Sequence, residues 1–248
     1  MNSTVKQVIN DNLSTHKIIG SGLIGTSFKE NSILDSRYSV IIFASGVSNS
    51  LEIDPKPFLR EKELLESVLN NKKSTERFVY FSTLSVYDTT KQDASYVKHK
   101  LQLERIIKQE CQNYLIIRVP NIIGKGGNPA TLINYLITSI LNKTEIKVFK
   151  NAYRNFIDVE DLVKLVEHFV VSNTLNTTID LLHPISYSMP EVMNCIEKHV
   201  NATSNLVYLH EGYDYFPKYT SLVYSAFEIS QINIRKDYLR QILEKYYT

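Results

Sequence analysis

Phe78–Ile107 reads FVYFSTLSVYDTTKQDASYVKHKLQLERII. Phe78-Val-Tyr-Phe81 is a short β-branched and aromatic run, and it predicts a buried strand that carries Ser82-Thr83-Leu84-Ser85 to its C-terminal end. In open α/β sheets that edge is where ligands bind. Downstream, an amphipathic segment opens with Tyr96-Val-Lys-His-Lys100. On an α-helix Tyr96 and Lys100 stand one turn apart on the same face. A phenol with a pKa of about 10 is a poor proton-transfer group at neutral pH, and a fixed ammonium nearby favours its phenolate. The plain alternative is a solvated face, where a snorkelling lysine meets a tyrosine by chance.

Working back towards the N-terminus, Lys17-Ile-Ile19 predicts a strand that runs into Gly20-Ser-Gly22-Leu23-Ile24-Gly25 and a helix to about Leu34. This is the G-x-G-x-x-G pattern in a strand-turn-helix setting, where backbone amides and a helix N-terminus suit a pyrophosphate. A tight turn packing helix on strand is the other reading. Tyr38–Phe43 is apolar but for Ser39, as a parallel strand buried on both faces should be, and ends in Ala44-Ser45-Gly46, small enough for a cofactor to lie against. Pro55–Asn71 has helical spacing through Phe58, Leu64, Leu65, Val68 and Leu69.

These segments together resemble the short-chain dehydrogenase/reductase superfamily in its extended form, the NAD-dependent nucleotide-sugar epimerases and dehydratases. Ser82-Thr83-Leu84-Ser85-Val86-Tyr87 is similar to the S-[ST]-x-x-V-Y segment of that family, and Tyr96-x-x-x-Lys100 to its Tyr/Lys pair. The resemblance implies a catalytic Thr83, Tyr96 and Lys100, with Lys100 also holding the nicotinamide ribose and Ser85 facing substrate. It places Gly20, Gly22, Leu23, Ile24, Gly25, Ala44, Ser45 and Gly46 along the dinucleotide. Further on, Arg118-Val-Pro120-Asn121-Ile-Ile-Gly124 puts Pro120 by the nicotinamide and Asn121 by the substrate phosphates, although a strand ended by a proline turn would read the same. Arg154-Asn-Phe-Ile-Asp-Val-Glu-Asp161 resembles the family's R-[DN]-[FY]-[IV]-x-V-x-D, whose arginine clamps a nucleotide diphosphate with its planar fork. Asp158, Glu160 and Asp161 read as capping residues at a helix start.

Two departures mark a shortened member. Tyr96 follows Thr83 by 13 positions, where the extended relatives carry a longer insertion. Only 12 residues lie between Gly25 and Tyr38, too few for the second strand, crossover helix and third strand that complete an adenosine site. The expected fold is therefore a Rossmann-like, doubly wound parallel α/β sheet truncated on the side where the second and third strands of that fold would lie. One domain spans 1–248, with a small substrate lobe formed mainly by 175–248.

The 248 residues carry 28 Lys+Arg against 26 Asp+Glu, a net charge of +2 without a long run of one sign. Nothing there asks for nucleic acid or a membrane, so a small-molecule partner is expected, with a homodimer left open. Cys111 and Cys195 lack disulfide or zinc spacing, and His183 and His210 read as structural or surface residues, so no metal is expected. The N-terminus lacks a signal-peptide pattern and no apolar run nears ~18 residues, which predicts a cytoplasmic protein. Met189–Val200 predicts a helix, Tyr213, Tyr215, Phe216 and Tyr219 an aromatic cluster, and the C-terminus a final helix. The function implied is an NAD- or NADP-dependent oxidoreductase or epimerase acting on a nucleotide-linked sugar, in surface-polysaccharide sugar biosynthesis. Keto-sugar reduction and epimerisation share this apparatus. The rival is a non-catalytic Rossmann-like binding or regulatory protein with a degenerate cofactor site.

Overall fold

The computed structural model describes residues 16–126, 128–129, 131–212, 214, 216–217 and 220–247. The Thr4–Ile9 segment, considered as a cover for the first strand, and Tyr213, Tyr215 and Tyr219 of the aromatic cluster lie outside them. A parallel sheet of five strands forms the centre: β1 (Lys17–Ile19), β2 (Val40–Phe43), β3 (Arg77–Thr83), β4 (Tyr114–Val119) and β8 (Thr177–Asp180), in that spatial order. Helices α1 (Leu23–Asn31), α2 (Pro55–Asn71), α3 (Ser95–Glu110) and α5 (Val159–Val171) cover it. The fold is Rossmann-like α/β.

The period-2 geometry of a strand explains why β2 is apolar throughout. Its Ile41 and Phe43 join Phe78, Tyr80 and Ile116 in a core with Leu65 of α2 and Leu103 and Ile107 of α3. Val40 and Ile42 face the other way and join Val79, Phe81, Leu115 and Ile117 against Phe28 of α1 and Leu162 and Val166 of α5. Neither face is left for water.

The sheet is wound in one direction only. Ser32–Ser39 carries the chain from α1 straight to the strand beside β1, so among the described residues β1 is the edge and the other half of a doubly wound sheet is not built. Helix α1 was expected to run to Leu34 but ends at Asn31, because Ser32 Oγ and the Ile33 amide both donate to the Glu167 carboxylate on α5 at 2.6 and 2.8 Å. That tertiary pair outweighs local helix propensity.

Outside the main sheet lie β5 (Asn121–Ile123), α4 (Leu132–Leu141), β6 (Glu145–Phe149), β7 (Tyr153–Asp158), β9 (Ser186–Ser188), α6 (Met189–Val200), β10 (Asn205–Leu209), α7 (Ser221–Ile229) and α8 (Tyr238–Tyr246). β5, β7 and β9 form one small sheet, and β6 and β10 pair in parallel. Asn155, fully buried on β7, ties this region together by donating to the carbonyls of His183 and Ile185 and to Ser186 Oγ, and by accepting the His183 amide. His183 stacks on Tyr238, donates from Nε2 to the Asn233 carbonyl and accepts the Ile185 amide at Nδ1. Burial pushes its pKa down, and its role is structural. Of the carboxylates in the Arg154–Asp161 segment, Asp158 is the cap, its Oδ1 accepting the Glu160 amide at 2.8 Å at the start of α5, and Glu160 and Asp161 stand in the first turn. Asp158 is also gripped from α8, where Lys245 Nζ and Tyr246 Oη reach it at 2.8 Å each.

Candidate active site

Because the strands of the main sheet are parallel, the turns after β1, β2, β3 and β4 all emerge at one edge. They carry most of the residues singled out in the sequence. After β1, Gly20 has φ +129°, and a Cβ there would meet Ala44 O at 2.4 Å. A Cβ on Gly25 would meet Gly20 O at 2.6 Å. These two glycines let the turn fold onto itself and onto the end of β2, where the Ala44 amide donates to Ile19 O at 2.7 Å. Gly22 differs from them. As the N-cap of α1 it has open space where its Cβ would be. No side chain caps that helix and no acid stands in its first turn, so the amides at Leu23 and Ile24 are available to an anion. Gly124, after β5, packs onto this turn, since a Cβ there would strike Leu23 Cδ1 and Val159 Cγ1 at 2.7 and 2.6 Å.

At the end of β3, Thr83 is buried and its Oγ1 accepts the Ser85 amide at 3.1 Å, which fixes the short 3₁₀ turn Leu84–Tyr87 with Ser85 half-buried on it. Tyr96, in the first turn of α3, is buried, and its hydroxyl bonds to no described residue. Lys100 lies one turn on, with Nζ 5.9 Å from the Tyr96 ring centre. Pro120 separates β4 from β5, half-buried. Asn121 donates from Nδ2 to the Asn155 carbonyl at 3.0 Å and so braces β5 on β7. Arg154, on β7, donates to the neighbouring Tyr153 carbonyl at 2.7 Å and has no carboxylate partner among the described residues. A second cation, Lys91, is near enough for Arg154 to help push its pKa down, after the larger effect of its own burial and against the pull of Asp88.

A profile of the NAD dependent epimerase/dehydratase family matches residues 30–177, more than half of the chain. The chain belongs to that family. The match starts beyond the glycine turn and takes in Thr83, Tyr96, Lys100, Pro120, Asn121 and Arg154. No curated protein matches the sequence. Among solved structures, dTDP-glucose 4,6-dehydratase from Bacillus anthracis in complex with NAD is 17% identical with a TM-score of 0.61, covering 91% of this chain and 77% of that one. RMD from Pseudomonas aeruginosa complexed with NADPH gives 17% identity and a TM-score of 0.62, over 83% and 79%. UDP-glucuronic acid 4-epimerase from Bacillus cereus, in complex with UDP-glucuronic acid and NAD, gives 15% and 0.59, over 92% and 90%. At these identities the likeness is one of fold.

Within this epimerase/dehydratase chain the structure adds residues that the sequence did not bring forward. Glu61 of α2, buried to 1% exposure, accepts from Lys100 Nζ at 2.8 Å, Tyr80 Oη at 3.1 Å, His99 Nε2 at 3.0 Å and the Val47 amide at 2.9 Å. Its signal was present. Glu61 interrupts the apolar stripe Phe58, Leu65, Val68 at a position where a hydrophobic residue was due. Gly46 is explained by the same pair, because a Cβ there would stand 2.8 Å from Glu61 Oε1 and 2.9 Å from Lys100 Nζ. A second, half-buried network lies beside it. Arg118 of β4 forks onto Glu104 of α3 with two bonds of 2.8 Å and donates to Tyr87 Oη at 2.8 Å, while Tyr87 donates to Asp180 at 2.6 Å. It locks β3, α3, β4 and β8 together where the Thr83 turn leaves the sheet. No group of three His, Cys, Asp or Glu among the described residues could hold a metal ion. No helix among them is long and apolar enough to cross a membrane.

Proposed function

We propose that this chain is an NAD- or NADP-dependent oxidoreductase or epimerase that acts on a nucleotide-linked sugar, with Tyr96 as the proton-transferring group. The observation that carries the reading is the placement of Thr83 and Tyr96 at the edge of the sheet that also bears the open glycine turn. That turn fits a dinucleotide pyrophosphate: Gly22 leaves room for it and the start of α1 offers uncapped amides. A bound nicotinamide would supply the hydride chemistry. The chain's own residues do the rest. Thr83 is placed to hydrogen-bond the reacting sugar oxygen, and Tyr96 to exchange a proton with that oxygen. Lys100 presents positive charge to the Tyr96 ring, and Pro120 stands at the end of the adjacent strand.

Arg154 is the proposed holder of the substrate diphosphate. It is a cation without a carboxylate partner among the described residues, with Lys91 as a second positive charge in its neighbourhood. The elements outside the main sheet, largely 175–248, are read as the substrate lobe of a single domain. Relatives in the fold bind nucleotide sugars such as UDP-glucuronic acid, which supports a sugar nucleotide as the substrate class. A thermal-shift screen of NAD, NADP, nucleoside diphosphates and nucleotide sugars tests the whole reading. Stabilisation by a dinucleotide and by at least one nucleotide sugar is expected, and stabilisation by neither class would overturn it.

A further inference from the structure

The Tyr/Lys pair has a third member that its motif does not contain. Glu61 receives four donors, two on each carboxylate oxygen: Lys100 and Tyr80 on Oε1, His99 and the Val47 amide on Oε2. That satisfies the whole hydrogen-bonding capacity of a carboxylate. Lys100, 3% exposed, is used up in the same way: its acceptors are Glu61 Oε1 at 2.8 Å, Tyr80 Oη at 3.2 Å and the Phe81 carbonyl at 3.4 Å, one for each proton of an ammonium, so in this arrangement it has no proton left for the nicotinamide ribose that the resemblance assigned to it. Gly46 lies over the pair so closely that a Cβ there would have to displace the Glu61 carboxylate and the Lys100 ammonium. A buried ion pair is a poor device for stability alone, since apolar residues of similar volume fill a core about as well. This one contains the lysine of the active-site motif.

We infer that Glu61 is a positioning residue of the Tyr96 site: it holds the Lys100 ammonium beneath Gly46 and offsets its charge, so that Tyr96 faces half of an ion pair and not a bare cation. What the pair is for rests on the proposed Tyr96 chemistry; its geometry does not. The groups around it are accounted for. Tyr80 comes from β3, and His99, packed at 4.9 Å on the Phe58 ring, and Tyr96 come from α3. The next turn of α3 brings Glu104, which is already engaged by Arg118 and Ser82. The turn after β2 contributes no titratable group: it brings the Val47 amide, the Val47 side chain packed with Tyr96, and Gly46. An unopposed ammonium within about 4–6 Å shifts an acid's titration by roughly 1–3 units, and a carboxylate touching that ammonium removes much of the effect.

The test compares Glu61→Gln, Glu61→Asp and wild type by the pH profile of turnover in the direction where Tyr96 accepts the proton. Glu61→Gln is expected to move the acid-side half-maximal pH down by about one unit, while Glu61→Asp keeps the wild-type profile even where its rate falls. A Glu61→Gln protein that loses rate with an unmoved profile would make Glu61 merely structural. A second measurement needs neither a variant nor a substrate. In ¹⁵Nζ-lysine NMR of the wild type, the Lys100 ammonium should give a slowly exchanging signal with a through-hydrogen-bond coupling to the Glu61 carboxyl. A rapidly exchanging Lys100 would overturn the inference. Absence of turnover on every nucleotide sugar would remove the Tyr96 chemistry, and the lysine signal would still decide the pair.

Discussion

In the proposed mechanism, Tyr96 is the residue on which the chemistry turns. Its ring is buried against the Lys100 charge, and its hydroxyl is not engaged by any described residue. Tyr96→Phe should therefore preserve the fold and dinucleotide affinity and cut turnover by about 10²–10⁴, the span of general acid–base groups; near-normal turnover would take Tyr96 out of the mechanism. Arg154 makes a different kind of contribution. Because no carboxylate among the described residues neutralises it, Arg154→Ala should weaken nucleoside diphosphate binding by about 1.5–3 kcal/mol, the scale of a charged hydrogen bond, with dinucleotide binding nearly intact. Calorimetry with both ligands checks this, and equal losses would mean that Arg154 supports the fold. Glu61 has a signature in acid. Burial pushes its carboxyl up, but the Lys100 charge and the donors His99 and Val47 win and hold it at about 2, against an ordinary 4.5. A carboxyl whose folded-state value is depressed stabilises the fold fully above its unfolded value and loses that contribution as pH falls through the folded one. The stability advantage of wild type over Glu61→Gln should therefore shrink as pH drops from about 4.5 to about 2, measured by urea unfolding at each pH. An advantage independent of pH would show that Glu61 is not ionised in the native state.

At the scale of elements, the C-terminal helix is held to the rest of the chain by its apolar face and, beside it, by charge. Leu239, Ile242 and Leu243 of α8 are buried, and beside them Lys245 and Tyr246 converge on the buried Asp158, which also caps α5. One carboxylate thus ties β7 and α5 to α8. Asp158→Ala should remove a helix cap and leave two donors unmatched, at a cost of about 2–3 kcal/mol. Asp158→Asn, which can still cap, should cost less. Denaturant melts of both variants check the order, and a loss below about 0.5 kcal/mol in Asp158→Ala would show that the clamp contributes little.

For the molecule as a whole, the consequential fact is the one-sided sheet. A dinucleotide laid across a complete doubly wound sheet has its adenosine half over the strands beyond the glycine turn, with an acidic residue to grip the ribose. Here the chain passes from α1 through Ser32–Ser39 directly into β2, and the one acid of that passage is engaged by its own turn: Asp35 Oδ1 accepts the Arg37 amide and Oδ2 pairs with the same arginine's side chain at 3.0 Å. Dinucleotide affinity should accordingly come from the pyrophosphate and nicotinamide ends, be weak, and discriminate little between NAD and NADP. Calorimetry with both cofactors decides the matter. Submicromolar binding of one with more than about hundredfold preference, a gap of about 2.7 kcal/mol, would mean that an intact ribose pocket exists. Binding of neither would favour the non-catalytic alternative.

The sequence by itself determined the main elements and the order in which the candidate site residues fall along them. β2 announced itself by being apolar on both faces, α2 by its spacing from Pro55 to Asn71, and the glycine turn by lying between a strand and a helix. Those signals are local, set by the period of a strand or helix and by what a glycine permits. The tertiary structure decided what the charged residues do. Glu61 is marked locally only as a break in the apolar stripe of its helix, which names no partner, and Lys100 reads as the free partner of Tyr96. Only the packing of α2 and α3 on the same face of the sheet brings them to 2.8 Å and seals them beneath Gly46. Likewise Arg118, Glu104, Tyr87 and Asp180 come from four separate segments, and no spacing along the chain connects them. A buried charge must be matched wherever the fold places it, so its partner is chosen by proximity in space and leaves no trace in the local pattern.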